Sequence, residues 1–272
     1  MKLAYFKKKQ YAVTKNNFVP LPKSVAINKL LDEEYVKDLE ALVKNSRDLY
    51  EKIPEALDPP LKVSKLLGIG INYQSHAKEQ GEKPPEAPII FQKASTAVIG
   101  HGHPVIAPKI VTMLDYEVEL AVIIGKRGKY IEKDEVNDYI AGFTIFNDIS
   151  ARDHQFKYNN QWFIGKSFDT FAPVGPWIVD KFEIGDPQNL NMETKLNGKI
   201  MQSSNTKNMI FKIPDIIHFI SNVLTLEPGD VIFTGTPEGV GFTRKPPVYL
   251  KAGDVLDLSI EKIGTLHNMI SQ

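Results

Sequence analysis

The chain has 272 residues, with 33 basic and 33 acidic side chains and no cysteine. Zero formal net charge excludes the broad basic footprint of a nucleic-acid binder. The absence of cysteine excludes disulfides, thiolate metal sites and a cysteine nucleophile.

Residues 1–60 read as a small α/β appendage. Two short strands are expected at 2–6 and 10–13, joined by a turn at Lys7-Lys8-Lys9. Leu31, Tyr35, Leu39, Leu42, Val43, Leu49 and Ile53 then recur at helical spacing, which predicts one amphipathic helix ending before Pro54. Asp58-Pro59-Pro60 is a stiff linker and marks a domain boundary, with residues 61–272 forming the larger domain.

Beyond that boundary the chain is rich in short strands. They are expected at 66–71, 89–93, 116–124, 141–147, 177–179, 193–196, 231–234 and 255–261. Asn197-Gly198 signals a tight hairpin. A helix is expected at 214–226, with Pro214 at its start and Pro228-Gly229 beyond its end, and a shorter one at 134–139. The βα alternation of a doubly wound sheet is missing. The expected fold class is therefore α+β, strand-dominated, a roll or sandwich of mixed sheets with peripheral helices. No stretch approaches the roughly 20 apolar residues that span a bilayer, and the N-terminus lacks the apolar core of a signal peptide. A cytoplasmic protein with neither membrane nor nucleic-acid partners is expected.

Several common motifs fail. Gly68-Ile69-Gly70 lacks the third glycine of a dinucleotide loop, because Tyr73 stands there. No phosphate-binding loop, no zinc-protease helix motif and no nucleophile elbow occurs. His101-Gly102-His103, followed by Pro104, reads as a loop.

The stretch 113–125 carries more information. Asp115, Glu117 and Glu119 alternate with Tyr116, Val118 and Leu120. Side chains two apart on a strand share a face and lie about 6.6 Å apart at the backbone. Three carboxylates on one face with no intervening cation suit a hard divalent ion. A solvated acidic face on an edge strand is the alternative. Asp148 follows the apolar strand at 141–147 and stands ready as a further carboxylate. Lys166 is set among Trp162, Phe163 and Phe168, either beside such a site or with its stem covering Trp162 at the surface. The glycine-spaced run Thr234-Gly235-Thr236-Pro237 follows another strand and offers hydroxyls and free N–H groups. His76 and Glu79 share a helix face three residues apart, so the acid can hold the imidazole as a base. The polar, proline-rich 80–88 that follows reads as a movable cover.

In their shared order these segments resemble the fumarylacetoacetate hydrolase superfamily. The likeness runs through Gly70-Ile71-Asn72-Tyr73 with His76 and Glu79, then Phe91-Gln92-Lys93 and Asp115 to Leu120. It continues through Asn147-Asp148 with Arg152, Asp153 and Gln155, then Lys166-Ser167, Gly198 to Gln202, Thr234 to Gly241 and Gly264-Thr265-Leu266. It spans roughly residues 64–270. The resemblance implies a mixed β-sandwich roll and a homodimer. It maps metal ligands onto Glu117, Glu119 and Asp148, with Asp115 supporting them. It maps a catalytic lid pair onto His76 and Glu79, a catalytic lysine onto Lys166, and substrate contacts onto Gln155 and Thr236, with Arg152 and Tyr73 from the same segments. Some relatives place a further carboxylate upstream of the histidine; residues 61–75 hold no acid, so that ligand is absent. Three carboxylates completed by water favour Mg2+, with Mn2+ and Ca2+ as the alternatives.

Members of the superfamily act on 2-oxo acids. The expected reaction is hydrolysis of a carbon–carbon bond in a 2,4-dioxo acid of the acylpyruvate or fumarylacetoacetate kind. It would pass through an enolate, with His76 activating water and Lys166 adding positive charge. The alternatives are isomerisation of a 2-hydroxyhepta-2,4-diene-1,7-dioate, decarboxylation of oxaloacetate, and dehydration of a 2-oxo-3-deoxy sugar acid. A non-catalytic metal-binding scaffold is the reading outside enzymology.

Overall fold

Every residue of the strand Val118–Ile124 is buried, which requires a layer of protein on each side of it. On one face Val118, Leu120, Val122 and Ile124 enter a core with Met192, Leu256, Leu258 and Leu266. On the other, Ala121 and Ile123 enter a second core with Leu3, Leu30, Val36 and Val43. The strand is central rather than marginal: Ile140–Asn147 and Val231–Phe233 flank it, both antiparallel. The edge-strand alternative for the acidic stretch therefore does not hold.

The structure is a computed structural model that describes residues 1–14, 17–46 and 51–272, with side chains throughout except at Tyr158 and Asn159. An eleven-stranded mixed sheet and a five-stranded sheet make up the body. The large sheet runs from Glu51–Lys52 through Asn17–Pro20, Lys9–Val13 and Lys2–Phe6 to Ala172–Asp180. It then crosses Ile140–Asn147, Val118–Ile124, Val231–Phe233 and Leu66–Gly70 to Ile89–Gln92, and the eleventh strand, Val98–Ile99, pairs in parallel with Ala172–Asp180 off this path. The small sheet is Lys199–Asn205, Asn191–Leu196, Val255–Ile260, Gly264–Ser271 and Val105–Ile106. The strand-dominated α+β architecture is as expected.

Residues 1–60 join the large sheet through the antiparallel pair of Lys2–Phe6 with Ala172–Asp180. Their helix, Glu33–Asn45, starts where Asp32 accepts hydrogen bonds from the amides of Glu34 and Tyr35. It is shorter than its apolar spacing suggested. The Ser46 hydroxyl turns back onto Leu42 O at 2.9 Å, where the helix ends. Ile53 instead follows the short strand Glu51–Lys52, which pairs with Asn17–Pro20. Leu49 lies outside the described residues.

Other differences have local causes. The stretch expected at 177–179 is the nine-residue strand Ala172–Asp180, masked in the sequence by Pro173 and Pro176. Residues 134–139 supply only the 3-10 turn Val136–Tyr139. The helix Ile213–Val223 carries Pro214 in its first turn, and Asp215 accepts from Lys212 N. Asn197 and Gly198, at φ 52° and 79°, close the hairpin between Asn191–Leu196 and Lys199–Asn205.

His101 and His103 lie in a turn, as expected. Gly102 has φ 76°, and a Cβ there would stand 2.3 Å from Glu55 O. His101 O accepts from Leu57 N at 2.9 Å, and His101 Nδ1 accepts from His267 N at 3.1 Å. The turn thus ties the N-terminal segment to the small sheet.

Two tests follow from this arrangement. Leu3→Ala should cost about 2–5 kcal/mol, the usual range for emptying a buried leucine site. Circular dichroism and tryptophan fluorescence should report one coincident, shifted urea transition; two separate transitions would mean that residues 1–60 fold as an independent unit. The second test concerns His101, whose imidazole burial lowers to about 4, with His267 adding to the effect. The unfolded chain then binds the extra proton first. Stability should fall as pH drops from about 6.5 towards 4. His101→Asn retains an acceptor for His267 N and should show a shallower fall than wild type in acid-range melts.

Candidate active site

Two adjacent strands bring the acidic side chains together. The register pairs Val118 with Asn147, so that the residues just outside the ladder, Glu117 and Asp148, meet at its end. Asp148 N donates to Glu117 O at 3.0 Å, and Glu117 N donates to Asn147 Oδ1 at 3.1 Å. Glu117, Glu119 and Asp148 each offer a carboxylate oxygen, all within 4.8 Å of one another, and all three residues are buried.

Asp115 does not join them. The expected continuous strand is interrupted: Leu114–Asp115 pairs separately with Ser150–Ala151. Asp115 Oδ1 accepts from Gly241 N at 2.7 Å, and its Oδ2 accepts from Phe242 N and from Arg152 Nε. It anchors a loop and an arginine rather than a ligand position.

Three cations surround the carboxylates. Lys166 Nζ donates to Asp148 Oδ2 at 2.5 Å, to Glu117 Oε2 at 3.0 Å and to Ser150 Oγ at 3.0 Å. Lys93 Nζ donates to Asp148 Oδ1 at 2.5 Å. Arg152 spans Glu117 Oε1 at 2.5 Å, Asp115 Oδ2 at 3.0 Å and Gln155 Oε1 at 2.9 Å. Lys166 is 2% exposed, so the reading of a surface lysine over Trp162 is set aside.

Four acidic side chains, Asp115, Glu117, Glu119 and Asp148, meet three cations, so one acid is left without a cationic partner. That acid is Glu119, which has no cation paired with it among the described residues. Burial, with the charges of Asp148 and Glu117, holds Glu119 well above the usual carboxylate range. Burial also acts to raise Glu117, but Lys166 and Arg152 outweigh it and hold that group below the range. Burial lowers Lys93 to about 8 against the opposing pull of Asp148. A buried all-oxygen donor set with one more acid than cations fits a divalent cation.

The loop after Val231–Phe233 closes one side. Gly235 N donates to Glu119 Oε2 at 2.5 Å. Its φ is 92°, and a Cβ would stand 2.7 Å from Asn72 Cβ and 3.0 Å from Ile69 O. Only glycine lets the amide approach so closely. Thr236 lines the cavity, with its hydroxyl donating to Val118 O and accepting from Gln202 Nε2. Asn72 is wholly buried and ties this loop to the Phe211 backbone through both ends of its carboxamide.

The helix Gln74–Gln80 forms the opposite wall. His76 Nδ1 stands 2.6 Å from Glu79 Oε1. The other oxygen of Glu79 accepts from Gly239 N and Thr243 Oγ1, which clamps the helix against the 237–243 loop. His76 is 5% exposed and lines the cavity, so its pair with Glu79 is not a surface ion pair. The expected contacts Arg152, Gln155, Lys166 and Thr236 line the same cavity with Glu117 and Glu119. Tyr73 does not. Its ring is fully buried and its hydroxyl meets Met192 Sδ at 3.2 Å, because it is the last extended residue before the helix and turns inward.

Sequence reasoning left several contributors without a role. Lys93 stood in a recognised segment, but nothing local revealed its partner 55 residues away. Phe91 and Trp162 supply an apolar wall, their rings 5.4 Å apart and edge-on. Trp162 packs on Gly70, where a Cβ would be 2.3 Å from the indole. The helices Arg152–Asn160 and Trp162–Lys166, which carry five of the lining residues, had no clear apolar period.

Residues 65–271 match the fumarylacetoacetate (FAA) hydrolase C-terminal family. The chain belongs to the fumarylacetoacetate hydrolase family. It is 47% identical over 214 residues to "Oxaloacetate tautomerase Fahd2a, mitochondrial" of Rattus norvegicus, covering 79% of this chain and 68% of that protein. Among solved structures, it resembles a fumarylacetoacetate hydrolase from psychrophilic Exiguobacterium antarcticum. The TM-score is 0.85 at 33% identity, over 100% of this chain and 99% of that one. It also resembles a 2-hydroxyhepta-2,4-diene-1,7-dioate isomerase from Mycobacterium marinum. There the TM-score is 0.70 at 40% identity, over 79% of this chain and 77% of that one.

The ion pairs separate the roles of two neighbouring acids. Glu117→Gln strips buried Lys166 and Arg152 of an anionic partner and should cost about 3–5 kcal/mol in urea unfolding with EDTA present. Glu119→Gln removes the one acid without a cationic partner and should leave that stability equal or higher. It should also abolish the rise on adding Mg2+, about 2.7 kcal/mol at a hundredfold excess over Kd. Equal losses from both substitutions in EDTA would contradict the charge assignment.

Proposed function

We propose that this chain is a Mg2+-dependent enzyme that interconverts the keto and enol forms of a short 2-oxo acid of the oxaloacetate class. The observation that carries the proposal is that His76 lines one cavity with Lys166, Glu117 and Glu119, the last two being members of the buried carboxylate triad. The names of the rat tautomerase and the mycobacterial isomerase support the same reaction class. A divalent cation held by Glu117, Glu119 and Asp148 would polarise the 2-oxo group.

The chain's own residues supply the rest. The carboxylate of Glu79 only accepts hydrogen bonds, so the proton between it and His76 sits on Nδ1. Nε2 of the neutral ring then carries the lone pair and takes the proton from C3 of the acid. The Lys166 ammonium stabilises the negative charge that develops on the 2-oxygen, in a site too buried for water to screen it. Return of the proton from Nε2 to that oxygen completes the enol, and the reverse sequence regenerates the ketone. No carbon–carbon bond needs to break. Phe91 and Trp162 keep bulk water from one side.

Hydrolysis is the second reading, favoured by the His76–Glu79 pair, which is equally able to deprotonate a water. With Mg2+ and oxaloacetate, loss of enol absorbance without release of pyruvate would support tautomerisation. Pyruvate release from acylpyruvates would support hydrolysis instead, and inertness towards all of them would overturn both. His76→Ala should lower kcat by about 10²–10⁴-fold, the usual contribution of a positioned base. Undiminished turnover would remove His76 from the mechanism.

A further inference from the structure

The basic nitrogen of His76 is already engaged. Gln80 lies one helical turn beyond His76, and its Nε2 stands 2.6 Å from His76 Nε2. Because Glu79 holds the proton on Nδ1, the neutral ring offers only a lone pair at Nε2, and the Gln80 amide must be the donor. Gln80 also lines the cavity beside Glu117, Glu119, Arg152 and Lys166. It is the last helical residue, and Gly81 ends the helix in the left-handed region at φ 76°. A carboxamide at a helix end beside a cavity has two acceptors within its swing: the imidazole, and any oxygen on a bound acid.

We propose that Gln80 is a positioning and specificity residue that masks the base. Its amide N–H rests on His76 Nε2 and transfers to an acceptor oxygen at C4 of the bound 2-oxo acid, which exposes the lone pair to the C3 proton. The enzyme therefore acts on 2-oxo acids that bear a carbonyl or carboxylate at C4 and leaves those without one largely unreacted. This rests on the keto–enol reading of the site for its kinetic part, whereas the contact with His76 is open to direct observation.

The experiment has two arms on the full chain with Mg2+ present. In the first, 15N spectra of the histidine rings are compared between wild type and Gln80→Leu. The Nε2 signal of His76 should move towards that of an unbonded lone pair while Nδ1 stays in place. Unchanged spectra overturn the proposal whatever the enzyme's reaction. In the second arm, ketonisation of oxaloacetate is compared with deuterium uptake into the methyl group of pyruvate, which has no C4 oxygen. Gln80→Leu should raise KM for oxaloacetate about tenfold, one hydrogen bond's worth, and should speed exchange of pyruvate severalfold. Gln80→Asn keeps the carboxamide but withdraws it by one methylene, and should behave as leucine does; it serves if the leucine variant fails to fold. A uniform fall for both acids would make Gln80 merely structural and overturn the proposal. A shifted Nε2 signal with no turnover of any 2-oxo acid by wild type would uphold the contact while removing the keto–enol reading, and with it the transfer step.

Discussion

Three buried acids, Glu117, Glu119 and Asp148, converge at the ends of two antiparallel strands, with Lys93, Lys166 and Arg152 packed against them and Asp115 holding Arg152 from behind. Lys93, Lys166 and Arg152 each neutralise particular oxygens, and Glu119 remains without an ionic partner. Burial makes that imbalance costly unless a proton or a cation relieves it. The site is therefore built to take up positive charge, and much of the fold serves to hold its acids close despite their repulsion.

Backbone geometry does most of that holding. The pairing of Val118 with Asn147 sets Glu117 and Asp148 beside each other through main-chain bonds that no side chain can slip. Gly235 brings an amide to Glu119 at a distance that any larger residue would prevent. The opposite end of the strand is held by residues 1–60, whose Leu30, Val36 and Val43 share a core with Ala121 and Ile123. One strand thus presents a charged end to the cavity and an apolar end to the N-terminal cover.

The lid side is fastened by fewer and more exchangeable contacts. Glu79 bridges the imidazole and the 237–243 loop, so the orientation of the His76 ring depends on where that loop stands. Gln80 completes the ring's hydrogen bonding from the same helix. These are side-chain contacts at the end of a seven-residue helix, whereas Glu117 and Glu119 sit at the end of a buried strand. The strand half suits charge stabilisation, and the helix half holds the side-chain contact that the proposed transfer of the Gln80 amide would exchange.

Read alone, the sequence determined the strand-rich class, the Asn197-Gly198 hairpin, the helix around Pro214 and the residue types of the acidic stretch. These are encoded within a few residues of one another, in period and turn chemistry. It also placed the His76–Glu79 pair, because helical spacing alone brings them together. The tertiary structure decided what depends on distant segments: that Lys93 neutralises Asp148, that Asp115 faces Arg152 and a loop rather than the triad, and that Tyr73 turns into the core. It also ended the first helix at Asn45, where the periodic pattern ran on towards Ile53. Local spacing fixes which side chains share a face, but the partner that face meets is set by sheet order and register, which join residues dozens of positions apart.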